Sequence, residues 1–160
     1  MFKIGDYITH PMHGAGVIES IVTKKINGSQ RDYYVLKLPV GDMVVMVPVS
    51  GCEDIGVRSI ISRSEAEKLF SAFSEIEISM TQNWNKRYRE NMDKIKSGNL
   101  LDVASVVKGL MCRDSERGLS TSERKMLHAA KQILISELVI ATDMDYDGVE
   151  KRLCAALKEG

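Results

Sequence analysis

The chain has 160 residues, 44% of them apolar, and its 22 basic side chains are matched by 22 acidic ones, so the formal net charge is zero. That length holds one ordinary domain or two small ones around a buried core, and the neutral balance excludes a protein that coats nucleic acid by bulk electrostatics. No apolar run nears the ~18 residues that span a bilayer, and the opening MFKIGDY lacks the apolar segment of a signal peptide, so a soluble cytoplasmic protein is expected.

The first third reads as β structure. DYITH predicts a short strand, and GAGVIESIVTKKI alternates as a long one. Asn27-Gly28 in NGSQ suits a turn with positive φ, which makes RDYYVLKL the returning strand. A second turn, PVGD, leads to MVVMVPV, which Pro48 ends because it has no N–H for the ladder. Four or five short strands at this spacing predict a small antiparallel barrel or curled sheet over residues 1–62.

From residue 62 or so the apolar period lengthens from two to about 3.6. Ser64 with Glu67 reads as a capping box before AEKLFSAF. Ser79 or Thr81 is placed to cap a helix running to Lys96, which SGN stops. Asn99 precedes LLDVASVVKGLMCRD, and Gly118 closes it. Ser120 with Glu123 reads as a second capping box, opening SERKMLHAAKQILISELVIA, and Asp145 caps a last helix ending near Glu159. The expected fold class is α+β, with a β module (1–62) followed by a bundle of about five helices (63–160). There is no internal repeat or low-complexity linker, so the two parts are expected to pack together.

Residues that could carry chemistry are sparse. His10 and His13 in HPMHG have a spacing that suits two metal ligands, but no third ligand is evident and the intervening Pro11 marks a turn. Gly14 and Gly16 lack the continuation of a phosphate loop, and a strand follows where a helix is required. Cys52, Cys112 and Cys154 stand too far apart for a paired metal half-site or an even disulfide framework. Cys112 lies between apolar neighbours like a core residue. No Ser/His/Asp ordering stands out, so neither an enzyme nor a cofactor is expected.

Charge is neutral in sum but uneven in place. Residues 84–96 carry Lys86, Arg87, Arg89, Lys94 and Lys96 against Glu90 and Asp93, and a second basic set runs from Lys108 to Lys131. Acid collects at Glu65, Glu67, Glu75 and Glu77 and at Asp143, Asp145 and Asp147. Solvated helix faces are the ordinary origin of such clusters. The lone tryptophan, Trp84, falls among the first of them, in TQNWNKRYREN. On a helix Trp84, Tyr88, Met92 and Ile95 share one face, which makes the ring the first rung of a core stripe. Its place in the first turn, between cations and beside a helix N-terminus that favours phosphate, equally fits an aromatic wedge against nucleic acid.

Over its full length the chain resembles the bacterial CarD/CdnL family of RNA polymerase-binding transcription regulators. FKIGDYITHPMHGAGVIESI, DYYVLKL, VPV and GVR look like that family's polymerase-interaction domain, a module related to one in the transcription-repair coupling factor. NWNKRYREN, SGN, VASVVKGL and RDSERGLSTSERKMLHAAKQIL look like its helical DNA-binding domain, and the order and spacing of the strings make the match specific.

The resemblance implies a Tudor-like or SH3-like β-barrel docked on the RNA polymerase β subunit, with the helical domain at the upstream edge of the transcription bubble. It implies that the tryptophan matching Trp84 wedges into the minor groove and keeps the promoter open complex apart for longer. It also implies largely sequence-independent contact with promoter DNA through Lys86, Arg87 and Arg89, joined by Arg124 and Lys125 on the long helix. On the polymerase side Lys24 matches a basic contact of the second strand, though without an arginine's bidentate geometry. Met46 stands where some relatives carry arginine, and is either an apolar contact or an inward-facing core residue. Lys25, Ile26 and Tyr34 belong either to the exposed edge or to the barrel's packing. No metal, membrane or small-molecule substrate is implied. The alternative reading is a protein-interaction adaptor whose helices are a scaffold without DNA contact.

Overall fold

A computed structural model describes residues 1–78 and 81–159, and among them the side chains up to residue 157. Strands β1 (Tyr7–His10), β2 (Gly14–Ile26), β3 (Ser29–Leu38), β4 (Met43–Pro48) and β5 (Arg58–Ser59) form one antiparallel sheet in the order β4-β3-β2-β1-β5. Asn27 and Gly28 turn β2 into β3 with φ of 52° and 80°, the mirror-image turn whose twist matches its flanking strands. A bulge between Ile18 and Ser20 bends β2. The bend lets Ile8, Ile18, Tyr34, Leu36, Leu38 and Val47 close over one small core. The sheet curls but does not close into the expected barrel: β4 and β5 are its two edges, and β5 is only two residues long.

Five helices follow: α1 (Arg63–Glu75), α2 (Trp84–Lys96), α3 (Leu100–Arg117), α4 (Thr121–Thr142) and α5 (Tyr146–Glu159). Their shared core is built on Phe73, Val106, Val107, Leu110, Leu134, Ile135, Leu138 and Leu153. The capping box of α1 is Ser62 with Glu65, two residues before the expected Ser64 and Glu67. Glu67 instead reaches across to Arg152 of α5 at 2.8 Å. The cap of α2 is Asn83, whose side chain accepts the Lys86 N–H at 3.0 Å. Thr81 lies before it, and Ser79 lies outside the described residues. Asn99 caps α3 and Gly118 ends it with φ 78°. The Ser120 hydroxyl accepts the Glu123 N–H, but the Glu123 carboxylate turns to Arg87 and leaves half a capping box. Asp145 accepts the Gly148 N–H at 2.7 Å and so opens α5.

The two parts meet where β2 lies along α4. A Cβ on Gly14, at φ 97°, would sit 2.6 Å from Ser136 Oγ and 3.3 Å from Ile133 Cα. The GAGV glycine therefore serves close approach of strand to helix rather than an anion. The Ala15 N–H donates to Ser136 Oγ at 2.9 Å across the same contact.

Candidate functional site

Trp84 opens α2, and the residue is 41% exposed. The indole stacks on Tyr88, with ring centres 5.3 Å apart and planes inclined by 21°. The Trp84 Nε1–H points at Ser120 Oγ at 3.4 Å. The expected stripe is real but graded: Ile95 is buried, Met92 and Tyr88 are half-buried, and Trp84 stands out at the end. Ser120 is the N-cap of α4, so the ring sits where the N-termini of two helices meet. Each such end carries the equivalent of roughly half a positive charge, which creates an anion-favouring spot in a chain of zero net charge.

The expected cations divide into two groups. Lys86 and Arg89 are exposed on α2, and Arg124 and Lys125 are exposed on the first turns of α4. Arg124 follows Ser120 by four residues, which puts it one turn along the same helix face. Among the described residues none of these four makes an ion pair. Arg87 does not belong with them. Its side chain is 2% exposed, with Nε and Nη2 donating to Glu123 at 2.9 and 3.3 Å and Nη1 donating to the Thr81 and Gln82 carbonyls at 3.2 Å. A guanidinium with three nitrogens committed inside the fold is not a surface cation, so the expectation for Arg87 is corrected. Burial alone would raise the Glu123 carboxyl, but hydrogen bonding and charge from Arg87, the charge of Arg113 and the Ser120 hydroxyl outweigh it and hold the carboxyl below its ordinary range.

The outer face of the sheet forms a second surface. Directly paired residues of adjacent strands share a face, and Tyr34, Leu36 and Val47 point inward. Their alternates Tyr33, Val35 and Met46 therefore point outward, together with Val22, Lys24 and Arg31. Met46 lies opposite Val35 and is 36% exposed, which settles it as outward-facing. Lys24 lies directly opposite Arg31 on the same face. Tyr34 is buried, its hydroxyl accepting the Phe2 N–H at 3.1 Å, while Lys25 and Ile26 are exposed. Sequence reasoning missed Arg31, because its face depends on the register of β3 with β2.

The remaining candidates are placed elsewhere. The His10 and His13 rings lie 4.6 Å apart, and the Met12 N–H donates to His10 Nδ1 at 3.0 Å. Burial, and then the nearby His13, hold the His10 imidazole below its usual range. Among the described residues no group of three or more His, Cys, Asp or Glu side chains converges as metal ligands would. No described helix is long and apolar enough to cross a membrane.

Comparison with known proteins adds to this geometry. Residues 2–61 match the CarD-like/TRCF RID domain family, and residues 68–154 match the CarD C-terminal domain family. A Bacillus subtilis (strain 168) protein named as a candidate transcription factor, YdeB, is 39% identical to this chain over 140 residues, which is 88% of this chain and 92% of that one.

Proposed function

This chain belongs to the CarD family and is a transcription regulator, and on that premise we propose that it binds the RNA polymerase β subunit and stabilises the promoter open complex. In this reading the outer face of β2, β3 and β4 docks on polymerase with Lys24 and Met46 in the contact, and Trp84 meets DNA at the upstream edge of the bubble. The observation that carries it is the partly exposed Trp84 at the meeting of two helix N-termini, with Lys86, Arg89, Arg124 and Lys125, which make no ion pair among the described residues, on the same two helices.

The physics requires no bond-making step. An aromatic stacked on a base is worth ~1–3 kcal/mol, which slows strand closure by about fivefold to about a hundredfold when it acts on the open state alone. Only the difference in affinity between melted and closed DNA shifts their balance, so a wedge that fits distorted DNA better than duplex is sufficient. With polymerase supplying local concentration, the DNA contacts need neither sequence readout nor high net charge.

The test is open-complex lifetime with Trp84→Ala. The variant should melt as the parent does yet shorten the lifetime at least about fivefold. An unchanged lifetime would overturn the wedge. Polymerase binding without salt-dependent binding of fork DNA would leave only an adaptor, because phosphate contacts must weaken as salt rises.

A further inference from the structure

A wedge is useful only if its ring is held outside the core in one orientation, and a buried pair beside Trp84 has the geometry to do this. We infer that Arg87 and Glu123 are a positioning pair that fixes the Trp84 indole for DNA, and that Arg87 itself touches no DNA. The inference rests on the reading of Trp84 as the DNA-contacting group.

Arg87 follows Trp84 by three residues, and its guanidinium joins three pieces of chain. Nη1 holds the Thr81 and Gln82 carbonyls that lead into α2, while Nε and Nη2 hold Glu123 in the first turn of α4. Ser120 sits on the other side of Glu123. Its hydroxyl accepts the Glu123 N–H at 3.2 Å and lies 3.4 Å from both Glu123 Oε1 and Trp84 Nε1. A continuous polar chain therefore runs from Arg87 through Glu123 and Ser120 to the indole, while Tyr88 supports the ring from its face. Buried ion pairs are often replaceable by apolar residues without loss of stability. What an apolar pair cannot supply is direction, since a forked guanidinium on a carboxylate fixes two helices in angle as well as distance. Arg113 stands 4.0 Å from the same carboxylate. Removing the Glu123 charge would leave two cations facing one another, so the conservative change is on the arginine.

Arg87→Lys separates the two roles. Lysine keeps the positive charge that a phosphate contact would use, but it loses the fork. Trp84 is the sole tryptophan, so its fluorescence anisotropy and acrylamide quenching report its hold without DNA or polymerase. Arg87→Lys is expected to keep the parent's far-ultraviolet circular dichroism, lower the anisotropy, raise the quenching and weaken fork-DNA binding about fivefold at an unchanged salt slope. In a Trp84→Ala background the same change should cost no further fork affinity. Glu123→Asp keeps the negative charge between Arg87 and Arg113 but shortens its reach; it should reproduce the fluorescence change, and it serves as the second variant if Arg87→Lys does not fold. Unaltered fluorescence, or an equal loss of affinity with and without Trp84, would overturn the inference. If Trp84→Ala alone binds fork DNA normally, the wedge reading fails, while the fluorescence still decides whether the pair positions the ring.

Discussion

Arg58 of β5 and Glu137 of α4 are joined by two hydrogen bonds, Nη1 to Oε2 at 2.8 Å and Nη2 to Oε1 at 3.0 Å. The enclosed Glu137 carboxylate also accepts the Ile61 N–H at 2.8 Å, and Arg58 Nε donates to the Gly98 carbonyl at 3.1 Å. One side chain thus ties the sheet both to the long helix and to the loop that ends α2. If polymerase binds the sheet and DNA meets α2, the stiffness of this junction sets where Trp84 arrives. Arg58→Met leaves a buried carboxylate with only the Ile61 N–H, and is expected to cost ~3–5 kcal/mol in urea unfolding. Glu137→Gln keeps shape and acceptor and should cost less. A loss below about 1 kcal/mol for Arg58→Met would mean that the junction is held by apolar packing instead.

Much of this fold was legible because its signals are local. The span of β2, the Asn27-Gly28 turn, the Asn99 cap and the Gly118 stop each depend on residues within a few positions, and each stands where the sequence places it. Ser62 with Glu65 and Ser64 with Glu67 have the same spacing, and local chemistry cannot choose between them. The pairing of Glu67 with Arg152, 85 residues away, shows which glutamate was taken. Arg87 was misread for the same reason, since its partner Glu123 lies 36 positions on. One signal was available: Arg87, Asn91 and Ile95 recur at helical spacing along a face that the structure buries. An arginine on that stripe had to find an acid.

Gly14 is expected to be far less replaceable than Gly28. Alanine there takes on the strain of φ 97° and a Cβ 2.6 Å from Ser136 Oγ, the oxygen that receives the Ala15 N–H. Gly28, at φ 80°, has nothing within 4 Å of an added Cβ. Gly28→Ala should therefore cost only the backbone strain of about 1–2 kcal/mol. Gly14→Ala should cost a further ~1–3 kcal/mol as strand and helix are forced apart. Thermal melts of the two variants check this, and equal losses would mean that the strand moves away from α4 without penalty.

The Glu123 carboxyl predicts a defined acid limb. Burial would raise it, but the bonds and charge of Arg87, with Arg113 and Ser120, lower it below the unfolded value of about 4.3. A group depressed in this way contributes its stabilisation above the unfolded pKa and loses it as pH falls through the folded one. Unfolding free energy should therefore fall below about pH 4.5, and Glu123→Gln should flatten that fall. Glu67, exposed on α1 and lowered chiefly by its hydrogen bond to Arg152, titrates in the same window, so Glu67→Gln is the reference variant. An acid limb equally steep in Glu123→Gln and the parent would show that the buried pair contributes nothing there.

Lys24 and Arg31 face each other across β2 and β3, and like charges in that relation weaken a hairpin. The neighbouring acid, Asp32, offers no relief: it projects to the other face, where its carboxylate accepts a hydrogen bond from Thr23 Oγ1 at 2.6 Å. Beside the cations runs an apolar strip that includes Val44, 62% exposed, and Met46. Two cations that make no ion pair among the described residues, beside exposed aliphatic side chains, fit a partner surface that supplies acid and a greasy rim, as the proposed polymerase contact requires. Stability and binding are then expected to move in opposite directions. Lys24→Glu converts a repulsive cross-strand pair into an attractive one and should stabilise the module by ~0.2–1 kcal/mol, while weakening capture by the purified polymerase β-subunit lobe at least about tenfold. Arg31→Glu should do the same, although the sequence alone did not single it out. A variant that gains stability and binds the lobe as well as the parent would move the docking surface off this face, because a charge reversal inside a true contact adds repulsion that no gain in the free protein can offset.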